Sequence, residues 1–139
     1  MLFTLETERL TLGILGESHA SMVLDFYHRN KDFLEPWSAK RAVNQLTLEK
    51  QAVRLHLQSV AFKNQTGTRF YLFKKTNLDR CIGNIGLSNI IRGAFQSCHL
   101  GYQIDEQEQN QGLTTEALKE VVGYAFEVLQ LHRIEANIM

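Results

Sequence analysis

The residues whose types and spacing are best suited to chemistry lie together at 109–117, which read QNQGLTTEA. Gly112 stands where a loop turns into a predicted helix, so the backbone there can approach a ligand closely. The first turn of a helix leaves N–H groups without intrahelical acceptors, and these groups bind anions, phosphates above all. Thr114 and Thr115 add hydroxyl donors. We call residues 109–115 the anion cradle, although the same letters also fit an ordinary capped helix start.

The elements on either side of the anion cradle predict where it lies in a fold. Residues 97–104 predict a strand that leads into the cradle, and residues 132–139 alternate like a second strand. Between them a broad apolar stripe predicts a long helix. The stripe consists of Leu113, Ala117, Leu118, Val121, Val122, Ala125 and Leu129. Because ligands favour the carboxyl end of the first strand in a strand–helix–strand unit, the cradle is expected at a binding edge of the sheet.

The remaining chain predicts an α+β fold, a mixed sheet with element order β-α-α-β-β-β-α-β. Strands are predicted at 9–14, 69–74 and 81–91, and apolar residues at 22–27 predict a helix. An irregular segment is expected at 30–37, ending at a proline. A second helix is expected after the N-cap Thr47. Its predicted buried positions are Leu48, Ala52, Val53, Leu57, Val60 and Ala61. The turn-formers Asn77, Asp79, Arg92 and Gly93 are expected to separate strands of an antiparallel meander.

Composition excludes several classes of protein. The 139 residues include 15 Lys and Arg and 15 Asp and Glu, so the chain lacks the excess of positive charge that is typical of a nucleic-acid binder. No stretch approaches the roughly 20 apolar residues of a membrane span, and no export signal is visible. Cys81 and Cys98 lack C-x-x-C spacing, which predicts small buried thiols and no metal site. A single cytoplasmic domain over residues 1–139, enzyme or binding module, is the expectation.

A resemblance to a known family narrows the choice of function further. Gln109, Gly112 and Thr114 resemble the Gln/Arg-x-x-Gly-x-Gly/Ala pyrophosphate loop of the GCN5-related N-acetyltransferase (GNAT) superfamily, with a threonine at the last position. Further likeness to the RimJ/RimL branch is carried by ERL at 8–10, FLEPW at 33–37, GNIGL at 83–87, LGY at 100–102, TEA at 115–117 and HRI at 132–134. SNIIRGAF at 88–95 and RIEAN at 133–137 look closest to the RimJ type, the ribosomal-protein-alanine acetyltransferases. The resemblance spans essentially the whole chain.

The resemblance implies an enzyme that uses acetyl-CoA to acetylate the N-terminal α-amine of a protein, without a metal. The implied acceptor is a ribosomal protein. The implied coenzyme-binding residues are Leu100, Gly101, Tyr102, Gln103, Ile104, Gln109, Asn110, Gln111, Gly112, Leu113, Thr114, Thr115 and Asn137. The C-terminal part of the family fold is expected to be absent after the fifth strand, and with it the group that protonates the leaving thiolate. An open strand edge left in this way favours a homo-oligomer or a strand-swapped dimer.

The candidates for catalysis and acceptor binding are fewer. His99 is the candidate base and Tyr102 the candidate donor to the departing sulfur, each weighed against an inert place in a strand. Phe33, Trp37, Asn89 and Arg92 are the candidate acceptor contacts, with core or turn positions as the alternative. Two other functions stay open: acetylation of a small amine such as a polyamine or aminoglycoside, and a non-catalytic module that binds acyl-CoA or a partner.

Overall fold

A six-stranded mixed sheet, ordered β1-β2-β3-β4-β5-β6, forms the middle of the protein. The computed structural model describes residues 1–34 and 47–136. The strands are β1 (Phe3–Glu6), β2 (Leu10–Ile14), β3 (Thr68–Lys74), β4 (Asn77–Ile91), β5 (Ser97–Ile104) and β6 (Arg133–Ala136). The helices are α1 (Ala20–Arg29), α2 (Lys31–Leu34), α3 (Leu48–Lys63) and α4 (Leu113–Glu127). Neighbouring strands are antiparallel except β5 and β6, which are parallel. The predicted meander and the mixed α/β fold class are confirmed.

Local structure differs from prediction at three places. The segment before Arg9 forms the additional strand β1, because the Phe3 ring packs on Phe62 and Tyr124 with centroids 5.6 and 5.7 Å apart. The turn between β3 and β4 lies at 75–76, so Asn77 and Asp79 are inside β4. The segment predicted to be irregular contains the single helical turn α2, while 35–37 fall outside the described residues.

The predicted buried face of α3 is wrong at four of its six positions, whereas Ala52 and Ala61 are half-buried. Thr47 does cap the helix, since its hydroxyl accepts from the Lys50 N–H at 3.2 Å. The side chains that face the protein are those of Gln51, Leu55 and Ser59, however, whereas the predicted positions Leu48, Val53, Leu57 and Val60 are exposed. The contact of α3 with the sheet is partly polar, since the Tyr71 hydroxyl donates to Gln58 Oε1 at 2.8 Å.

Two apolar cores lie on opposite faces of the sheet. Helix α4 covers one face, where Leu113, Ala117 and Val121 meet the inward residues of β2–β5. Helices α1 and α3 cover the other face around Val23 and Leu55. Alternation along β5 therefore places Leu100 and Tyr102 on the α4 face and residues 99, 101 and 103 on the α1/α3 face. The two faces of β5 are available for different chemical roles.

Candidate active site

The start of the anion cradle is anchored by the buried carboxylate of Asp105, which follows β5 directly. Arg29 at the end of α1 donates to Asp105 Oδ2 and also to the Cys81 carbonyl at 2.7 Å. The other Asp105 oxygen accepts from the Gln107 N–H at 2.9 Å, which caps a short 3-10 turn. The Glu106 N–H donates to Asn30 Oδ1 at 2.9 Å. Helix α1 thus holds the chain where it leaves the sheet.

The far end of the anion cradle is anchored by Glu116 in the first turn of α4. Its carboxylate accepts from the Arg9 Nε at 2.8 Å, from the Arg9 backbone N–H at 2.9 Å and from the Thr7 hydroxyl. Burial opposes ionisation of Glu116, but these hydrogen bonds and the Arg9 charge outweigh it and lower the pKa of Glu116 to about 2. Arg9 Nη1 also donates to the Gln111 carbonyl at 2.9 Å. The N-terminal segment therefore clamps both the loop and the helix start.

The backbone N–H groups of the anion cradle are without an acceptor in the described part of the chain. Among the described residues, no carbonyl or side chain accepts a hydrogen bond from the N–H groups of 109–115, whereas the Glu116 N–H already bonds to the Gly112 carbonyl at 3.1 Å. Asn110 and Gly112 have φ values of 61° and 76°, left-handed conformations that are typical of backbone nests that bind anions. Positions 109–112 are solvent-exposed. The cradle is open and holds unused donors.

Beside the anion cradle, the edge of β5 that faces β6 has a described partner only at 97–100. The described parallel pairing reaches Leu100 with Ala136, the last described residue. On the opposite edge, β4 pairs with β5 as far as Ile104. Within 1–34 and 47–136, nothing pairs with the other edge at 101–104. An extended ligand can therefore lie against that stretch as an additional strand.

His99 and Tyr102 lie on opposite faces of β5. His99 is on the α1/α3 face, where its Nε2 is 3.6 Å from Oε2 of Glu135 on the neighbouring strand β6. Tyr102 is on the α4 face, 44% exposed, and in the described part of the chain its hydroxyl has no hydrogen-bond partner. Because the two side chains flank one strand edge from opposite sides, they can serve different groups of a ligand bound there.

A polar network covers the α1/α3 face next to that edge. The Tyr27 hydroxyl and the buried Asn84 amide both donate to Gln103 Oε1, at 3.1 and 3.2 Å. Arg69 in turn donates to Asn84 Oδ1. The Arg54 guanidinium lies over the Tyr27 ring, 5.5 Å from its centroid. The network places two arginine cations on this face of the sheet.

The other predicted site residues lie elsewhere or outside the described residues. Phe33 is part-buried against the α1/α3 core, and Asn89 is an exposed residue with φ 51° in β4. Arg92 donates to the Leu129 carbonyl at 2.6 Å and thus ties the β4–β5 turn to the end of α4. Contact of these three with an acceptor stays a prediction. Trp37 and Asn137 fall outside the described residues.

Both cysteines are free and buried, as predicted. Burial raises the pKa of the Cys81 thiol to about 12 and also raises that of Cys98, so neither is a ready nucleophile. Over the described ranges, no group of three or more His, Cys, Asp or Glu side chains is placed to hold a metal ion. No helix in the same ranges has the length and apolar character needed to cross a bilayer.

Comparison with known proteins identifies this arrangement. The acetyltransferase (GNAT) domain model matches residues 9–139. The chain belongs to this family. It is 33% identical over 135 residues to the Escherichia coli [ribosomal protein uS5]-alanine N-acetyltransferase, covering 97% of this chain and 69% of that protein. The crystal structure of the Vibrio fischeri ribosomal-protein-S5-alanine acetyltransferase superposes with a TM-score of 0.88 at 30% identity, over 96% of this chain and 73% of that one.

The Bacillus subtilis protein named "Probable N-acetyltransferase YjcK" is 39% identical over 116 residues, 84% of this chain. This GNAT chain spans 64% of the length of that relative. The family resemblance noted in the sequence, including the ribosomal-protein-alanine branch among the relatives, is confirmed.

Four residues of this GNAT domain cannot be recognised as components of the site from the sequence alone. Arg9 belongs to the quoted ERL motif, but nothing in the sequence shows that it reaches Glu116. Arg69 and Tyr27 have no local motif at all. Glu135 is recognisable only once β6 is known to pair with β5 in parallel, which puts it opposite His99. All four depend on contacts between segments distant in the chain.

Proposed function

We propose that this GNAT domain transfers an acetyl group from acetyl-CoA to the N-terminal α-amine of a protein, with a ribosomal protein as the acceptor. The observation that carries the proposal is the position of the anion cradle directly after β5, with N–H groups at 109–115 that have no acceptor among the described residues. The cradle suits a diphosphate and the edge of β5 suits an extended pantetheine arm. Relatives whose names state alanine acetylation of ribosomal protein uS5 or S5 support the choice of acceptor. A cytoplasmic location belongs to this proposal.

The main chain performs most of the proposed binding. The N–H groups of 109–115 hold the coenzyme diphosphate, and the Thr114 and Thr115 hydroxyls add donors. Along 101–104 the strand edge aligns the thioester, where a backbone N–H of β5 stabilises the negative charge that develops on the carbonyl oxygen. Few side chains are needed for these steps, which agrees with a threonine at position 114 where the family pattern has glycine or alanine.

The acceptor amine must lose a proton before it attacks. An α-amine with a pKa of about 7.7–8.0 is roughly one-tenth neutral at pH 7, whereas a lysine side chain near 10.4 is only about 0.04% neutral. A terminal amine therefore needs modest help, and His99 on the α1/α3 face supplies it, directly or through a water. As the C–N bond forms and the C–S bond breaks, Tyr102 on the α4 face donates to the leaving sulfur.

The proposal is tested first by binding and then by turnover. Saturating acetyl-CoA should raise the melting temperature by mass action, whereas acetyl-pantetheine, which lacks the diphosphate, should raise it far less. A peptide that begins with alanine should then release free CoA, and the same peptide with a blocked N-terminus should not. Absence of a thermal shift at millimolar acetyl-CoA would remove the coenzyme site. A shift without CoA release from any free N-terminus would leave the non-catalytic module as the better description.

A further inference from the structure

An open space lies on the α1/α3 face of β5 beside the proposed thioester edge. A Cβ atom built on Gly101 would have no heavy atom of residues 1–34 or 47–136 within 4 Å. Gly101 shares this face with His99 and Gln103, because side chains alternate along a strand. The described part of β6 pairs with β5 only at 97–100, so the strand edge at 101–104 lies beyond that pairing. An acceptor amine can therefore reach the edge of β5 over Gly101.

The Arg69 guanidinium borders this space. Gly86 pairs with Gly101 on one side and with Arg69 on the other. A Cβ on Gly86 would lie 3.0 Å from Arg69 Nη1 and closer still to Nη2 and Cζ, so the guanidinium lies flat over this glycine. Its hydrogen bond to the buried Asn84 side chain fixes its direction. Because position 86 has no side chain, the Arg69 cation can lie over it, next to Gly101.

The Arg69 cation is incompletely partnered. A guanidinium carries five N–H donors, and Asn84 Oδ1 accepts from one of the two terminal nitrogens. No carboxylate in the described ranges lies within ion-pairing distance of Arg69. A part-buried arginine with donors left over next to an open space is suited to a carbonyl or carboxylate oxygen of a ligand.

We propose that Arg69 is a specificity-determining residue that binds the carbonyl oxygen next to the acceptor α-amine. This inference rests on the proposed function and names the acceptor chemistry of that site. At the N-terminus of a peptide, an amine is followed by a carbonyl. The carbonyl oxygen accepts a hydrogen bond from the guanidinium, and the amine lies over Gly101. The Arg69 charge also lowers the pKa of an amine bound nearby, which increases its neutral fraction. Polyamines and aminoglycosides, which carry several positive charges and offer no such carbonyl, are repelled.

The experiment compares two small amines that differ in the carbonyl. Alaninamide contains the α-amine and its carbonyl, whereas isopropylamine has the amine and methyl group without the carboxamide. Binding of each to the CoA-saturated protein is measured by calorimetry, so that the result does not depend on turnover. The variants are Arg69→Gln, which removes the charge, and Gly86→Ala, whose Cβ displaces the flexible end of Arg69 and leaves the charge in place. Lys63→Gln, an exposed charge change on α3, and Gly123→Ala, which meets open space, are the matched controls.

We expect alaninamide to bind the unaltered protein more tightly than isopropylamine, and each site variant to weaken alaninamide about tenfold or more without weakening isopropylamine. Both controls should bind as the unaltered protein does. Equal affinity for the two amines in the unaltered protein, or alaninamide binding unaffected by both site variants, overturns the inference. If the expected binding pattern appears but no peptide is acetylated, the carbonyl site stands and the proposed function fails.

Discussion

Arg9 and Glu116 form an ion pair of 2.8 Å between positions that are 107 residues apart in the chain. Arg9 lies immediately before β2 and Glu116 in the first turn of α4, so the pair ties two distant elements together. Because Arg9 also donates to the Gln111 carbonyl, the same guanidinium holds the anion cradle and the start of the helix. The pair is therefore a means of keeping the amides of the cradle aligned before any ligand arrives.

Arg9→Gln is expected to weaken coenzyme binding more than it weakens the fold. The Arg9 side chain is about half exposed, so its ion pair should contribute only about 1 kcal/mol to the free energy of unfolding. Loss of alignment in the cradle should raise the dissociation constant for acetyl-CoA about tenfold. Calorimetric titration and chemical unfolding measure the two effects. Lys119→Gln, an exposed change on the same helix, is the control, and equal coenzyme affinity in the two variants would contradict this role for Arg9.

The low pKa of Glu116 makes stability depend on pH in acid. The pKa of Glu116 is about 2 in the folded protein, whereas its ordinary value, which applies to the unfolded chain, is 4.5. The stabilisation by the ionised carboxylate is therefore complete above about pH 5. It is lost progressively as the pH falls from there toward 2. Chemical unfolding at a series of pH values should show a shallower decline in Glu116→Gln than in the unaltered protein. Glu120→Gln, one turn further along α4, should leave the slope unchanged. Identical slopes in Glu116→Gln and the unaltered protein would show that the carboxylate is not held as described.

Gly112→Ala should damage the cradle through its backbone. Position 112 has φ 76°, which costs an L-residue about 1 kcal/mol, or about 4 °C in melting temperature. Its new Cβ would also touch Arg9 Nη2 at 3.4 Å. Gly123→Ala inside α4 meets open space and should instead stabilise by about 0.5–1 kcal/mol. Thermal unfolding of the two variants, with and without acetyl-CoA, tests this contrast. Similar melting temperatures for both variants would disprove the strained conformation at 112.

His99→Gln should slow acetyl transfer without affecting the coenzyme. Since about a tenth of an α-amine is already neutral at pH 7, loss of the base should lower kcat/KM for a peptide only about tenfold. Glu135→Gln, which removes the carboxylate 3.6 Å away, should have a smaller effect in the same direction. The acetyl-CoA thermal shift should be unchanged in both. An unaltered kcat/KM in His99→Gln would show that His99 has no catalytic role.

Tyr102→Phe tests the opposite face of β5. The variant removes a hydroxyl that has no partner in 1–34 and 47–136, so the stability should change by less than about 0.5 kcal/mol. If the hydroxyl donates to the leaving sulfur, kcat should fall about tenfold while KM for the peptide stays the same. Steady-state kinetics at saturating acetyl-CoA separate the two parameters. An unchanged kcat would exclude the hydroxyl as the sulfur donor.

Local patterns in the sequence account for much of the architecture. The stripe of α4, the N-cap Thr47 and the meander of β3, β4 and β5 are all confirmed, because each depends on spacing between residues near in the chain. The anion cradle was also predictable, since a glycine at a helix start signals its own geometry. By contrast, the strand β1 was missed, because a four-residue edge strand is stabilised by its partner β2 and not by its own pattern.

What the sequence determined by itself was therefore the periodic elements, the cradle and the family. Only the tertiary structure decided which face of α3 is buried, which residue binds Glu116 and which cation lies over Gly86. Helix α3 buries Gln51, Leu55 and Ser59 against the sheet, and its Gln58 accepts from the Tyr71 hydroxyl, a contact that no spacing within the helix specifies. Contacts such as Arg9 with Glu116 join residues that no periodicity relates, so they exist only after the sheet has brought the segments together.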